Sequence, residues 1–415
     1  MTRPIVYDAT HLVSLGRAAG AAGIGRIDLA FARHFAAHPR LSCAAHYGAR
    51  GPHVLAPSRL ARIVADVAPA APDASAEWAR LRSWLLGAER APSVTAPAPR
   101  DALGQFLWRT PLRLANDAPH APPPNSLYLN IGQHACEFPL LFRWLERRPD
   151  MRAVFFVHDL LPLDRPEFFR RGYEALFRRR IDTILRHADA LLAMSEIVAE
   201  RLERETARKG ARIPIHVEPA PSTQGESADA SDEQLARCDY FVLVSTLEPR
   251  KNHLMLLNVW RALAAGPQPV PKLVLVGGRG WENEQIVDML NRCEAIRPHV
   301  RWTSDLPAAA LRRLLANANA LLMPSFAEGY GLPVVEALAL GTPAIVSDIP
   351  VFREIAQERA LFLSPLDGLG WKRAVTDFCA AASPHRLAAI GAAQSFSAPD
   401  WTRYFERIES FLDSL

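Results

Sequence analysis

Cysteine is scarce and scattered. The five residues, Cys43, Cys136, Cys238, Cys293 and Cys379, include no CxxC pair. An odd count at such spacing argues against a disulfide framework and against a zinc site, and fits a reducing cytoplasm. Long hydrophobic runs are missing too: no 18 consecutive residues are apolar, so no helix is expected to span a membrane. Near the N-terminus, Asp8 and His11 interrupt any apolar core of the kind an export signal needs. Charge of one sign is also lacking. Lys and Arg number 48 against 44 Asp and Glu, a formal +4. That mild excess suits an anionic ligand but is too weak for a nucleic-acid surface. No internal repeat of solenoid period is found.

What is present is ordinary globular material, 49% hydrophobic and 22% charged in 415 residues, enough for two or three domains. Residues 5–10 read as a first strand, followed by the loop GRAAGAAGIGR and a helix over about 26–35. Residues 42–48 read as a second strand. The pattern blurs over 51–125, where APSVTAPAPR and DAPHAPPPN cannot sustain a helix or a central strand; helices are expected there at 57–66 and 75–88. Order returns with strands at 127–133, 152–160, 190–195 and 216–221 and helices at 166–188 and 196–208. TQGESADASDEQ (223–234) is polar and marks a boundary.

The second half alternates cleanly. Strands read at 240–245, 272–278, 300–303, 320–325, 343–348 and 360–364. Helices fit at 252–265, 282–296, 307–316, 333–340, 350–357 and 368–382, and an amphipathic helix closes the chain. Short apolar strands alternating with helices imply an α/β fold with a parallel sheet covered on both faces. Such sheets bind ligands beyond the C-terminal ends of their strands.

Three loops at those ends carry chemistry. In SFAEGYGLPVVEALALGTPAIVSD, Glu328 and Glu336 lie eight apart, with Gly329 and Gly331 between them and Pro333 suited to a first helical turn. Free backbone N–H groups at that helix start favour a phosphate group, and Glu336 could accept from sugar hydroxyls. The plainer reading is a capped helix with a solvated glutamate. In STLEPRKNH, Arg250 and Lys251 are adjacent cations at a strand-to-helix loop. In VGGRGW, the glycines permit a base or ribose to lie against the backbone.

LEPRKN, LVLVGG, PSFAEGYGLPVVEAL and GTPAIVSDIPVFREI, in that order over about 240–355, resemble the retaining glycosyltransferases of family 4, with the GT-B fold of two Rossmann-like domains across a cleft. The resemblance implies that Arg250 and Lys251 neutralise a donor diphosphate and that Glu336 binds ribose. It places Glu328 by the transferred sugar, with Gly277, Gly329, Tyr330, Gly331 and Leu332 lining sugar and phosphate. In the N-terminal half, GIGR resembles the first strand-to-helix loop of mannosyl- and rhamnosyltransferases, where Gly23 and Gly25 would let the loop close over the diphosphate. VHDLLPLDRPEFF resembles the loop bearing the family's active-site histidine, here His158, with Asp159 orienting the loop. His134 is a further cleft-lining candidate. Ser245, Thr246 and Thr303 stand where the family often has glycine, which should narrow the pocket around the nucleotide.

The resemblance implies domains at 1–222 (acceptor side) and 238–398 (nucleotide-sugar side), with 399–415 packing back on the first. No DxD-type carboxylate pair is evident, so no metal and no cofactor is expected beyond the donor itself. A GDP-sugar such as GDP-mannose is favoured, with a UDP-sugar the other option. The acceptor is expected to be a saccharide or lipid-linked glycan of bacterial surface polysaccharide (lipopolysaccharide or capsule). For 166–188, Phe169, Tyr173, Phe177 and Ile181 recur every four residues beside Arg170, Arg171, Arg178, Arg179 and Arg180. Two readings stay open: a core stripe with a solvated basic flank, or a peripheral contact with anionic lipid at the inner membrane face. The competing functions are a nucleotide-sugar epimerase or phosphorylase of the same fold and a non-catalytic nucleotide-sugar-binding subunit.

Overall fold

The computed structural model describes residues 2–15, 23–48, 51–67, 76–88, 122–222, 230–304 and 306–415. The first part of the glycine-rich loop, the segment APSVTAPAPR, the start of DAPHAPPPN and most of the polar boundary segment lie outside the described residues.

Two sheets organise the chain. The first runs β3-β2-β1-β4-β5-β6-β7, built from β1 (Ile5–Asp8), β2 (Leu41–Gly48), β3 (Gly51–Leu55), β4 (Leu127–Asn130), β5 (Arg152–Phe156), β6 (Ala190–Ala193) and β7 (Ile215–Val217). All of it is parallel except β3, an antiparallel edge strand that the Pro-rich composition after residue 50 concealed. The second sheet, wholly parallel, runs β10-β9-β8-β11-β12-β13. Its strands are β8 (Tyr240–Val244), β9 (Lys272–Val276), β10 (Val300–Thr303), β11 (Ala320–Met323), β12 (Ala344–Ser347) and β13 (Leu361–Leu363). Runs such as YFVLV and KLVLV are apolar on both faces because helices cover both. Each sheet reverses its strand order once, at β1/β4 and at β8/β11, and the crevices beside such switch points receive ligands.

Several helix bounds differ from the sequence reading. Pro166–Phe168 is a separate 3-10 turn and the helix proper is Tyr173–His187. Gly172, at φ 81°, adopts a left-handed conformation that breaks the two apart. This decides the aromatic stripe. Phe177 and Ile181 are buried in the first domain, while Phe169 stacks on Trp281 of the second at 5.8 Å. The stripe is core and domain contact.

Helix Ala76–Leu85 departs from the expected partition at 222. Leu81, Trp84 and Leu85 enter the core of the second sheet, Lys272 donates to the Trp84 carbonyl, and Arg301 pairs with Glu77 at 3.3 Å. A parallel sheet's edge strand needs cover, and here a distant segment supplies it. The terminal helix Trp401–Asp413 buries Tyr404, Phe405, Ile408 and Leu412 beside Phe31 and Phe35 in the core of the first sheet. His34 and His38 both meet Glu409, at 2.5 and 3.3 Å. The His34 ring bonds Glu409, while His38, whose Nδ1 accepts from the Arg40 N–H, turns its Nε2 towards the same carboxylate.

Candidate functional site

The cation pair arises where β8 ends. Pro249–Lys251 forms one 3-10 turn, and Asn252, at φ 58°, redirects the chain into helix His253–Ala264. The Asn252 amide donates to the Pro324 and Pro365 carbonyls, tying this loop to the one after β11. Arg250 and Lys251 are thereby brought onto Glu328. Arg250 donates to its Oε2 at 2.7 Å and Lys251 to its Oε1 at 2.5 Å, with Ser325 adding a 2.7 Å bond. Glu248 approaches Arg250 at 2.6 Å from the other side. Burial alone would raise the Glu328 pKa, but Lys251 and Arg250 outweigh it and hold the carboxyl at about 2. Burial and neighbouring Arg250 push Lys251 down. Burial pushes Glu248 and Asp159 up, against the pull of Arg250. The result is a desolvated, nearly charge-balanced cluster, with Arg250 and Lys251 paired to carboxylates that a bound anion could displace.

Gly329 and Gly331 have separate reasons to be glycine. A Cβ on Gly329 would lie 2.6 Å from both the His158 carbonyl and the Asp159 Cβ, so the first domain's loop after β5 touches the second domain here. Ser195 adds a bond to the Gly329 carbonyl at 3.0 Å. Gly331, at φ 119°, caps helix Leu332–Ala339, whose N-terminus faces the cleft. Gly277, at φ 152°, lies so close to the preceding strand that a Cβ would sit 2.0 Å from the Ser245 carbonyl. Among the described residues, the buried Thr303 hydroxyl beside it has no hydrogen-bond partner.

His158 is 5% exposed and stacks on Phe156. Burial lowers its pKa to about 4, so the ring is neutral. Its Nε2 bonds the Ile131 carbonyl at 2.9 Å, which fixes the proton there and leaves Nδ1 as a buried acceptor with no partner among the described residues.

Two site assignments change, and a third residue gains a partner. Tyr330 does not present its ring to the site: it is 4% exposed and its hydroxyl donates to the Ala220 carbonyl. Gly23 and Gly25 do not form a loop but open helix Gly23–Ala36, with Gly23 against Leu332. Glu336 is fully buried, and its carboxylate is held by Arg26, the arginine of GIGR. Sequence reasoning singled out the two glycines of that motif and overlooked the arginine between helix and cleft. It also overlooked Ser325, three residues before Glu328 and bonded to it, and Glu248, which pairs with Arg250. His134 sits by the first domain's switch point, its ring 6.2 Å from His11.

Residues 232–369 match the family model described as glycosyl transferases group 1. Among curated proteins, the serotype-specific mannosyltransferase WbdA of Escherichia coli is 32% identical over 246 residues, 55% of this chain and 30% of that protein. O-antigen chain mannosyltransferase B of the same organism is 27% identical over 222 residues, 52% of this chain and 58% of that one. The chain thus spans about a third to somewhat over half the length of these relatives. Among solved structures, a sucrose-phosphate synthase of Thermosynechococcus elongatus aligns over 99% of this chain and 98% of its own, with TM-score 0.61 at 16% identity. Two sheets, each with a single switch point, agree with these matches: the chain has a GT-B fold, and its residues 232–369 are similar to the glycosyl transferases group 1.

Proposed function

We propose that this protein is a glycosyltransferase. It moves a hexose or deoxyhexose from a nucleotide-sugar donor to a saccharide or lipid-linked saccharide in bacterial surface polysaccharide synthesis. The observation that carries this is the Arg250–Lys251–Glu328 cluster, set opposite His158 across the cleft. A donor diphosphate replaces Glu328 as the partner of the two cations and gains the N-terminus of helix Leu332–Ala339. As the sugar–phosphate bond breaks, this preorganised positive field stabilises the leaving group without a metal ion. Glu328, freed from the cations, faces the positive charge developing on the sugar, and the His158 Nδ1 accepts from a sugar hydroxyl. Glu336 holds the ribose. Attack comes from the face the diphosphate leaves, with retention. The mannosyltransferase relatives favour a GDP-mannose-type donor.

The test is a thermal-shift screen of UDP, GDP, ADP and CMP, followed by calorimetry on the best ligand. Arg250→Ala and Lys251→Ala each remove a charge-assisted contact worth roughly 1.5–3 kcal/mol, so each should weaken the nucleoside diphosphate about ten- to a hundredfold. Unchanged affinity in both variants would refute the assignment.

A further inference from the structure

We propose that the cavity between two of the chain's passages from one domain to the other, walled by Glu218, Arg403, Tyr404 and Arg407, binds a monosaccharide phosphate, and that its occupancy tightens nucleotide binding at the donor loop. The coupling rests on the transferase reading above; binding to the cavity does not.

The cavity lies where the polypeptide changes domain. Glu218 and Pro219 follow β7, the edge strand of the first sheet. Residues 397–400 join helix Pro384–Gln394, whose Ala393 enters the core of the second sheet, to the terminal helix in the core of the first. The Trp401 indole N–H donates to the Ser222 carbonyl at 3.0 Å and ties the two passages together. The space between them is about 340 Å³. That is near the lower end of small-molecule sites, roughly 300 Å³, the size of one phosphorylated sugar rather than of a nucleotide sugar.

Its walls suit an anion that carries hydroxyls. Arg403 and Arg407 lie one turn apart on helix Trp401–Asp413. Arg407 pairs with Glu218 at 3.2 Å, and His216 approaches the same carboxylate at 3.5 Å. Asp400 caps the helix, accepting from the Thr402 and Arg403 N–H groups. Both carboxylates are thus engaged, while the Arg403 guanidinium has no partner among the described residues. Arg403 alone would be an ordinary surface arginine. Tyr404 is the second sign: it lines the cavity and is 1% exposed, yet its hydroxyl has no hydrogen-bond partner among the described residues. Buried hydroxyls left without a partner are costly and rare, and a ligand in the cavity supplies one. The free guanidinium holds the phosphate group. The tyrosine hydroxyl bonds the ligand, and spare lone pairs of Asp400 and Glu218 accept from sugar hydroxyls.

The route to the donor loop is short. Ala220 follows the cavity residues Glu218 and Pro219, and its carbonyl accepts from the Tyr330 hydroxyl at 2.9 Å. Tyr330 stands between Gly329 and Gly331, in the loop that carries Glu328. Through Gly329 that loop meets the first domain at His158. A ligand that holds both passages in place favours the arrangement in which this contact is made, and with it the loop conformation that meets the diphosphate.

The experiment is calorimetry on the full chain with mannose 1-phosphate, mannose 6-phosphate, glucose 6-phosphate, inorganic phosphate and mannose, repeated on Arg403→Ala, Tyr404→Phe and Arg250→Ala. At least one hexose phosphate should bind, and more tightly than inorganic phosphate or mannose. Arg403→Ala should weaken it about tenfold or more. Tyr404→Phe should also weaken it, with no loss of melting temperature, since the hydroxyl has no protein partner to lose. Arg250→Ala should leave it unchanged. Absence of binding by every hexose phosphate, equal binding of inorganic phosphate, or an affinity that follows Arg250 rather than Arg403 and Tyr404 overturns the site. GDP and UDP are then titrated with and without the hexose phosphate. The nucleotide that binds should gain about five- to a hundredfold in affinity, and Arg403→Ala should lose most of that gain. A nucleotide affinity indifferent to the hexose phosphate overturns the coupling. If neither nucleotide binds, the donor reading fails, while hexose phosphate binding that Arg403→Ala weakens still upholds the cavity.

Discussion

At the scale of single residues, the site is held by charges that substitutes must match. Glu336 is fully buried and its ion pair with Arg26 crosses the cleft. Breaking a buried pair from one side is costly, about 3–5 kcal/mol, because the other charge is stranded. Arg26→Ala should therefore lower the melting temperature. It also removes a competitor for the carboxylate proposed to hold ribose, so the thermal shift produced by the best nucleoside diphosphate should be larger in Arg26→Ala than in the wild type. An equal or smaller shift would mean Glu336 does not receive the ligand. Only half of this pair was legible in the sequence. Glu336 stood out by its spacing from Glu328, but Arg26 lies 310 residues away, and no local pattern links the two.

At the scale of elements, loops at strand ends were legible by type and not always by shape. LEPRKN and EGYGLPVVE gave the cations, the glycines and the helix start, because local backbone demands select those residues. Gly331 needs its positive φ for the cap, whereas Gly329 is required by a neighbour in the other domain. Its own φ/ψ would accept alanine, so Gly329→Ala should leave each domain folded. The new Cβ would meet the His158 carbonyl, which cannot yield as a side chain can. The cleft must open there, so the radius of gyration in solution scattering should rise and kcat/KM should fall, with the circular dichroism spectrum unchanged. Scattering identical to wild type would show that the contact is dispensable. Helix Ala76–Leu85 shows the opposite failure: a helix at 75–88 was expected, but its docking on the second sheet was not readable, since nothing near residue 80 names β9 as its neighbour.

At the scale of the molecule, buried histidines couple stability to pH. Burial lowers His46 and His158 to about 4 and His134 and His253 to about 3, from an ordinary value of 6.5. These groups are neutral in the fold and take protons readily when unfolded. Their contribution is present above pH 6.5 and is lost as pH falls towards 4 and below. Asp8, buried and raised to about 6, works the other way, since its folded form favours the proton as pH drops through that value. Asp159, Glu218, Glu248 and Glu354 are raised by burial in the same direction as Asp8, but eight histidines are lowered, His34, His187, His216 and His299 joining the four above, so the urea midpoint should fall between pH 6.5 and 4.5, and His253→Gln should flatten the slope by about one proton. A midpoint constant over that interval would contradict the burial of these rings.

The sequence by itself determined the class of fold, the alternation of strand and helix in the second half, and the cation pair and paired glutamates on neighbouring loops. These depend on period and on local backbone demands, which act over a few residues. Tertiary structure alone decided that Glu328 neutralises Arg250 and Lys251, that Arg26 occupies Glu336, and that Tyr330 turns away from the site. Each of these pairs joins residues whose approach is set by strand order and domain packing, and burial then fixes which partner every charge must take.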